Sequence, residues 1–468
     1  MNLAKRDLIT IDDLSNDEIE AVFLLADTMS EAMRDQYDVC RGMIMASLFF
    51  EPSTRTRLSF EAAMNRLGGR VISVAEMGNT SLAKGESVAD MARVVGSYAD
   101  IIVIRHPWEG AAKVVADYAD VPVINAGDGG HEHPTQTLCD LYTLKKERKT
   151  LSGLKIALWG DLKYGRTVHS LAYALARFGA TIHFRPSPGL EMPDHVIRKL
   201  TTEYAGRLER QNELQQVEEE GLFPLDAMYI TPSEPHQLAN IPTVGLQVEL
   251  EKGVDALYVT RIQKERFESD ESRERDDKRY PVINRKLLKD SKFQETIVMH
   301  PLPRVDELAY EVDEDPRSMY FRQAARGVPV RMALLSLLLG AKNNIPEEKR
   351  SKAVGRSEYP IYKRRSGVKC RNRNCVSTQK TEERYIRPMF FIVSRNPLIL
   401  RCIYCEQEIY PEYIASSKWH QGIAENKRYY KADSPMLKRI RPENLIIFDS
   451  VSAAQAEGFK PGKRSSGV

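Results

Sequence analysis

The 468-residue chain is poor in tryptophan and cysteine, with three Trp and six Cys, and it has no long apolar run. Its best candidate for a membrane span, Met332–Leu339, is broken by Ser336 and falls well short of the ~18 residues needed to cross a bilayer. The opening MNLAKRDLITIDDLSNDE turns acidic where a signal peptide would carry its apolar core, so a cytoplasmic location is expected. Low-complexity tracts and long repeats are also missing. A composition of 42% hydrophobic and 28% charged residues excludes global disorder, collagen and coiled coil. The length suits about three domains at ~150 residues each.

What is present is unevenly spread. From residue 351 onward there are 23 Lys+Arg against 11 Asp+Glu, while the preceding residues hold 45 against 54. Cys40 and Cys139 are scattered, whereas Cys370, Cys375, Cys402 and Cys405 all lie in the basic tail. This asymmetry predicts a separate module appended to an acidic body. Residues 342–368, polar and without helical periodicity, read as the linker.

Within the body, short β-branched runs alternate with helical stretches. Candidate strands are Met43–Phe50, Ile101–Arg105, Val121–Ala126, Lys155–Gly160, Thr181–Phe184, Ala256–Thr260 and Thr296–His300. Their continuous apolarity suits strands covered on both faces. Amphipathic stretches such as Leu58–Leu67 and Thr167–Phe178 fall between them. The expected fold class is α/β, with two doubly wound parallel-sheet domains joined by long helices and a small β-rich C-terminal domain. A long helix, Thr135–Arg148, closes the first half, and Arg326–Leu339 is expected to cross back onto it. Leu225–Pro232 (LDAMYITP) echoes Val254–Arg261 (VDALYVTR). The echo reads either as an extra strand or, preferably, as two buried strands obeying the same chemistry.

Chemistry-bearing residues cluster at predicted strand ends. In FFEPSTRTRLSFEAA, Ser53, Thr54 and Thr56 precede a helix whose amino end can bind an anion, and Arg55 and Arg57 add charged donors. Arg105 ends a buried strand, and His133, Thr135 and Gln136 follow the Gly-rich GDGGHEHP loop. Arg166 stands at a strand-to-helix turn, Arg261 and Gln263 follow another strand, and Pro301–Leu302 a third. The loop Asn79–Ser87 offers Ser81 and Lys84. Cations and an imidazole at several carboxyl ends of α/β strands predict a pocket for a substrate rich in phosphate and carboxylate. In the tail, Cys370-x4-Cys375 and Cys402-x2-Cys405 have the paired-knuckle spacing of a tetrahedral structural zinc site, one per chain.

Taken together, STRTRLSFE, HPTQTLCDL, GDLKYGRTVHS, TRIQKER and HPLPRVDE make residues 7–339 resemble the catalytic chain of the aspartate carbamoyltransferase family. The resemblance implies carbamoyl transfer from carbamoyl phosphate to the amine of L-aspartate, in pyrimidine synthesis, with no cofactor needed for the chemistry. It implies that Ser53, Thr54, Arg55, Thr56 and Arg105 hold the phosphate. Thr56, Arg105 and His133 would polarise the carbonyl, and Gln136, Pro301 and Leu302 would fix the carbamoyl nitrogen. Arg166, Arg261 and Gln263 would bind the carboxylates of aspartate, with Lys84 and Leu302. Ser81 and Lys84 would come from a neighbouring subunit, so a homotrimer with shared sites is implied. Residues 1–149 with 303–341 would form the carbamoyl phosphate domain and 150–302 the aspartate domain.

The chain departs from the family in a shorter Ser81–Lys84 loop and a longer segment between Arg166 and Arg261. Ornithine carbamoyltransferase, the nearest rival, typically carries HCLP where this chain has His300-Pro301-Leu302-Pro303, and its cationic substrate would not suit Arg261 and Lys84. A catalytically dead scaffold is the alternative of another class, opposed by intact Arg55, His133, Arg166 and Arg261.

Residues 369–430 resemble the zinc domain of the separate regulatory chain of bacterial aspartate carbamoyltransferase, here without the nucleotide-binding domain that normally precedes it. An assembly module lacking the ATP/CTP effector site is therefore expected, with a larger assembly open to it. Residues 431–468 weakly resemble an Ada-type metal module, but Ser434, Gly462 and Ser465 stand where its cysteines would be. A metal-free docking remnant is expected there. The tail's charge permits nucleic-acid binding, yet a solvated face or a surface facing the acidic body explains it equally well; neither nucleic acid nor membrane is the expected partner.

Overall fold

A computed structural model describes residues 3–31, 38–75, 84–148, 150–187, 189–204, 225–231, 254–261, 282–341, 359–363, 368–417 and 427–462. The first parallel sheet has the order β2-β1-β3-β4. Its strands are β1 (Ile44–Phe49), β2 (Arg70–Ala75), β3 (Ile101–His106) and β4 (Val123–Asp128). β3 and β4 are buried along their whole length and β1 nearly so. These are the continuous apolar runs that the sequence shows. β2 was not anticipated: Arg70 and Ser73 interrupt its apolar run, and it lies at the sheet edge, largely exposed. Helices α1 (Asn16–Glu31), α2 (Thr54–Arg66), α3 (Val88–Gly96), α4 (Ala111–Tyr118) and α5 (Pro134–Arg148) accompany this sheet. α2 starts two residues before the Thr56 at which the sequence suggests a beginning.

The second parallel sheet has the order β6-β5-β7-β8-β9. It comprises β5 (Lys155–Gly160), β6 (Thr181–Pro186), β7 (Ala227–Thr231), β8 (Ala256–Val259) and β9 (Ile297–Met299), with α6 (Arg166–Arg177) and α7 (Asp194–Glu203). The echoed segments become neighbours. β7 pairs with β8 in register, Ala227 opposite Ala256 and Tyr229 opposite Tyr258. The two tyrosine rings meet edge to face at 4.6 Å. Both strands are fully buried, so like positions carry like residues because they occupy the same layer. Part of the long segment between Arg166 and Arg261 that departs from the family, residues 205–224 and 232–253, lies outside the described residues.

Helix α8 (Tyr320–Leu338) returns to the first half and packs on α1, α2 and α5. α5 is buried from Pro134 to Leu144 except at Gln136, which is half-buried, as expected of a helix enclosed on nearly all sides.

The C-terminal part forms two four-stranded sheets. β10 (Ile361–Tyr362), β11 (Phe390–Arg395), β12 (Leu398–Cys402) and β13 (Glu408–Ile409) are antiparallel neighbours. β14 (Tyr413–Ser416), β15 (Arg428–Lys431), β16 (Leu445–Phe448) and β17 (Lys460–Pro461) make the other, in the order β16-β14-β15-β17. The stretch expected to be a docking remnant thus supplies strands to an ordered sheet, and Leu437, Ile440 and Ile447 join the same core as Leu400. That core is continuous with the body: Ile102, Ile104 and Val115 belong to one apolar cluster with Val376, Ile392 and Ile414. The appended module is therefore packed on the first sheet's layer through apolar contact as well as by charge.

Candidate active site

Carboxyl ends of both parallel sheets converge on a cavity of about 220 Å³ lined by Ser53, Arg55, Thr56, Arg105, His133, Gln136, Arg261, Pro301 and Leu302. Nine of the predicted site residues thus meet in one place, although they come from both sheets. Ser53 occupies the N-cap of α2, yet its side chain makes no capping bond. The helix's amino end, with its partial positive charge, is thus not closed by its own hydroxyl. Arg55 is held below the ordinary arginine range by burial and then by Arg261. Two guanidinium groups that disfavour each other across a small cavity create a strong demand for an anion between them.

Arg105 is 7% exposed and is held by Glu51 at 2.7 Å and by the Ala126 carbonyl at 3.3 Å. His133 is 4% exposed, with Thr135 Oγ1 3.5 Å from its Nδ1. Gly127 makes the approach of these two side chains possible. Its φ is +115°, and a β-carbon there would lie 3.1 Å from Arg105 Nη1 and 3.4 Å from His133 Cδ2.

From the second sheet, the loop after β9 carries Leu302 at φ 53°, a left-handed conformation that costs a branched residue energy unless its surroundings impose it. His300 imposes it. Its Nδ1 accepts from the Leu302 N–H at 2.8 Å, and its Nε2 meets Glu307 Oε1 at 2.8 Å. Burial lowers the His300 pKa, against the pull of Glu307. The ring is accordingly neutral, with Nε2 donating.

Two other predicted residues are not brought to this cavity. Thr54 begins α2 and is exposed, and Lys84 is exposed and does not line the cavity of its own chain. Arg166 begins α6, but its side chain, like Ser81 and Gln263 entirely, lies outside the described residues. Conversely, Thr260, Gln323, Gly327 and Arg331 line the cavity without having been anticipated. The last three recur every fourth residue along α8, which places them on one helix face. A polar and small stripe at that spacing, leading into the buried apolar second half of the helix, is the signal that could have found them.

A larger cleft of about 1320 Å³ lies where the C-terminal module meets both halves of the body, lined by Glu51, Lys163, His195, Arg373 and Glu406 among others. It mixes carboxylates with cations and lacks the convergent strand-end cations of the smaller cavity.

In the C-terminal module, Cys370, Cys375, Cys402 and Cys405 are all buried, with their sulfurs within 4.8 Å of one another. Cys370 and Cys405 approach to 3.5 Å, and Cys375 and Cys402 to 3.8 Å. None is in a disulfide. A tetrahedron with ~2.3 Å metal–sulfur bonds has edges of about 3.8 Å, so the tetrad can hold a metal ion.

The cysteine knuckles sit against the body. Glu109 N donates to Asn374 O and Val376 N to Glu109 O, each at 2.9 Å. Asn372 Nδ2 reaches Glu109 Oε2 at 2.7 Å. Buried Lys199 meets Glu406 at 2.8 Å and Asp12 at 3.1 Å, and Arg401 pairs with Glu203. At Gly110, φ +83°, a β-carbon would come within 2.5 Å of Tyr404 Cβ. Among the described residues no helix is long and apolar enough to cross a membrane.

Comparison with known proteins agrees with this geometry. Residues 6–146 match the aspartate/ornithine carbamoyltransferase carbamoyl-P binding domain, and residues 242–338 the Asp/Orn binding domain. Residues 365–415 match the metal binding domain of the aspartate carbamoyltransferase regulatory chain. The aspartate carbamoyltransferase catalytic subunit of Thermococcus gammatolerans is 48% identical over 338 residues, 72% of this chain and 98% of that protein. That of Methanopyrus kandleri is 46% identical over 340 residues, 72% of this chain and 99% of that one. The catalytic subunit of M. jannaschii aspartate transcarbamoylase superposes with a TM-score of 0.57 at 41% identity, over 72% of this chain and 98% of that one. The Trypanosoma cruzi enzyme in complex with carbamoyl phosphate and aspartate gives 0.57 at 34% identity, over 72% and 96%.

Proposed function

The chain belongs to the aspartate/ornithine carbamoyltransferase family, and from that premise we propose that it transfers the carbamoyl group of carbamoyl phosphate to L-aspartate in pyrimidine synthesis. The observation that carries this reading is the facing pair Arg55 and Arg261, one from each half of the molecule, across a cavity that also holds Arg105 and His133.

Ser53, Arg55 and Thr56 bind the phosphate at the amino end of α2, with Arg105 and, through its backbone N–H rather than its side chain, Thr54. Thr56, Arg105 and His133 surround the carbonyl oxygen, where negative charge develops as the aspartate amine attacks the carbamoyl carbon. Preorganised donors at that point stabilise the tetrahedral intermediate more than the substrate. Collapse breaks the carbon–oxygen bond to phosphate, and the amine proton leaves with the departing dianion. Gln136, Pro301 and Leu302 hold the carbamoyl nitrogen. Arg166, Arg261 and Gln263 bind the two carboxylates, so the reaction proceeds by positioning and electrostatics.

Residues 1–149 with 303–341 serve as the carbamoyl phosphate half and 150–302 as the aspartate half. The ion in the cysteine tetrad is zinc, with a structural role. Ser81 and Lys84 enter a neighbouring subunit's site in a homotrimer in the cytoplasm. Exposed Lys84 and the exposed edge strand β2, with Ile72 at 40% exposure, support an additional chain on that side.

Carbamoyl-product formation, measured with L-aspartate and L-ornithine in parallel, tests the reading. Turnover with aspartate alone is expected; turnover with ornithine, or with neither, contradicts it.

A further inference from the structure

Gln136, on the first turn of α5, and the loop Pro301–Leu302, after β9, belong to different halves of the molecule, and the proposed function asks both to recognise one –NH2 group. A single buried carboxylate connects them. Asp140, 1% exposed, lies one turn beyond Gln136 on α5. Its Oδ1 accepts from Gln136 Nε2 at 2.8 Å and from Gln323 Nε2 at 2.8 Å. Gln323, 2% exposed on α8, uses its Oε1 to accept from the His300 N–H at 3.0 Å. His300 in turn holds the Leu302 N–H.

A carboxamide has one donor end and one acceptor end of nearly equal shape, and only its neighbours decide which way it points. A carboxylate accepts and does not donate. Placed beside Gln136, it takes the –NH2 end and leaves Oε1 for the cavity that Gln136 lines. Placed beside Gln323, it does the same and leaves that Oε1 for the His300 backbone.

We propose that Asp140 is a positioning residue that presents hydrogen-bond acceptors to the substrate's amide nitrogen from both halves of the site, and thereby selects carbamoyl phosphate over acyl phosphates that cannot donate. The inference rests on the carbamoyltransferase reading and extends it to a residue that does not touch substrate. Burial pushes the Asp140 pKa up to about 7, and the Gln323 and Gln136 amides, both donating to Oδ1, offset part of that rise by favouring the carboxylate. The Tyr258 phenol, from β8, and the Arg331 cation, from α8, also favour the carboxylate. A buried carboxylate without a catalytic contact is otherwise a costly choice.

Acetyl phosphate supplies the test, because it replaces the –NH2 by a methyl and keeps the phosphate. Dissociation constants for both ligands are measured on the full chain with Asp140 as it stands, with Asp140→Asn and with Asp140→Leu. Wild type is expected to prefer carbamoyl phosphate. Asp140→Leu frees both amides to turn, and carbamoyl phosphate binding is expected to weaken about tenfold, the factor given by ~1.4 kcal/mol of lost hydrogen bonding. Acetyl phosphate should change less than about twofold, because phosphate contacts are untouched. Asp140→Asn keeps an acceptor oxygen at the same place and is expected to restore most of the preference.

Equal weakening of both ligands in Asp140→Leu, or no recovery in Asp140→Asn, overturns the role. If Asp140→Leu does not fold, Gln323→Met replaces it: an unaltered preference for carbamoyl phosphate there overturns the role, and a narrowed one supports it. A wild-type chain that does not bind carbamoyl phosphate overturns the functional reading first, and this inference with it.

Discussion

Each cavity residue can be assigned a distinct kinetic signature. His133 is buried and stands beside Arg105, and on the proposed function the carbonyl oxygen of the substrate gains charge there. Its contribution belongs to the transition state, so His133→Ala is expected to lower kcat by ~10²–10³, the usual cost of removing one such donor, while the fold is retained. Steady-state kinetics alongside circular dichroism check this; a change confined to KM would remove His133 from that role. Arg261 faces Arg55 from the second half, and on the proposed function it meets a carboxylate present before and after the chemical step. Arg261→Leu is therefore expected to raise the KM for L-aspartate at least tenfold and to leave carbamoyl phosphate binding within about threefold, because the lost interaction is charge-assisted and worth ~1.5–3 kcal/mol. Titration of each substrate separately would distinguish the two. Arg105 shows where single-residue reasoning stops. Its position at a strand end is legible, but its pairing with Glu51 at 2.7 Å is a contact across 54 residues. No local pattern announces it.

Secondary elements differ in how far the sequence exposes them, and the difference follows burial. β3, β5 and the β7/β8 echo are covered on both faces, so their apolar runs are unbroken and visible. β2 escapes because it is exposed on both faces and so tolerates Arg70 on one and Ser73 on the other. Asp140 and Gln323 escape for a different reason. Each looks like an ordinary polar helix residue, and their pairing spans 183 positions. The motifs hold residues that line the cavity, but not the buried pair behind them.

The short 3-10 turn Ile11–Asp13 illustrates the same point and carries a prediction. Asp12 lies where this turn meets α6 and α7: Arg177 approaches at 3.2 Å, Lys199 at 3.1 Å and the Tyr204 hydroxyl at 2.6 Å. Burial alone would raise its pKa, but Lys199 and Arg177 override it and hold the carboxyl below the ordinary value. A depressed acid stabilises the fold above its unfolded pKa of ~3.9 and loses that contribution as pH falls through the lower folded value. Asp12→Asn should thus cost ~3–5 kcal/mol at pH 7, the usual penalty for stranding buried charge, and should shrink the deficit relative to wild type as pH drops below 4. Urea unfolding at several pH values measures both; a pH-independent deficit would assign the loss to packing.

At the scale of the whole molecule, Lys199 is the meeting point of three parts. It stands on α7 of the second half, contacts Asp12 of the first and reaches Glu406, which adjoins the cysteine knuckle of the C-terminal module. The same knuckles dock on Glu109 through backbone and side-chain bonds, and the Val376–Leu400 core runs into that of the first sheet. The module therefore spans the two halves whose separation defines the cavity. A small four-cysteine fold owes much of its stability to its ion, so metal removal should loosen the docking surface before it touches the cavity. The expected result of chelation is faster amide hydrogen exchange at Glu109–Ala111 and at Glu382–Ile386, whose Glu382 side chain accepts from the Val88 N–H at 3.0 Å. Exchange in α2 and α5 should change little. Cys375→Ser should reproduce the pattern without chelator. If chelation instead leaves the docking surface protected, the apolar core shared with the first sheet is sufficient to hold the module, and the ion's contribution is confined to the knuckles themselves.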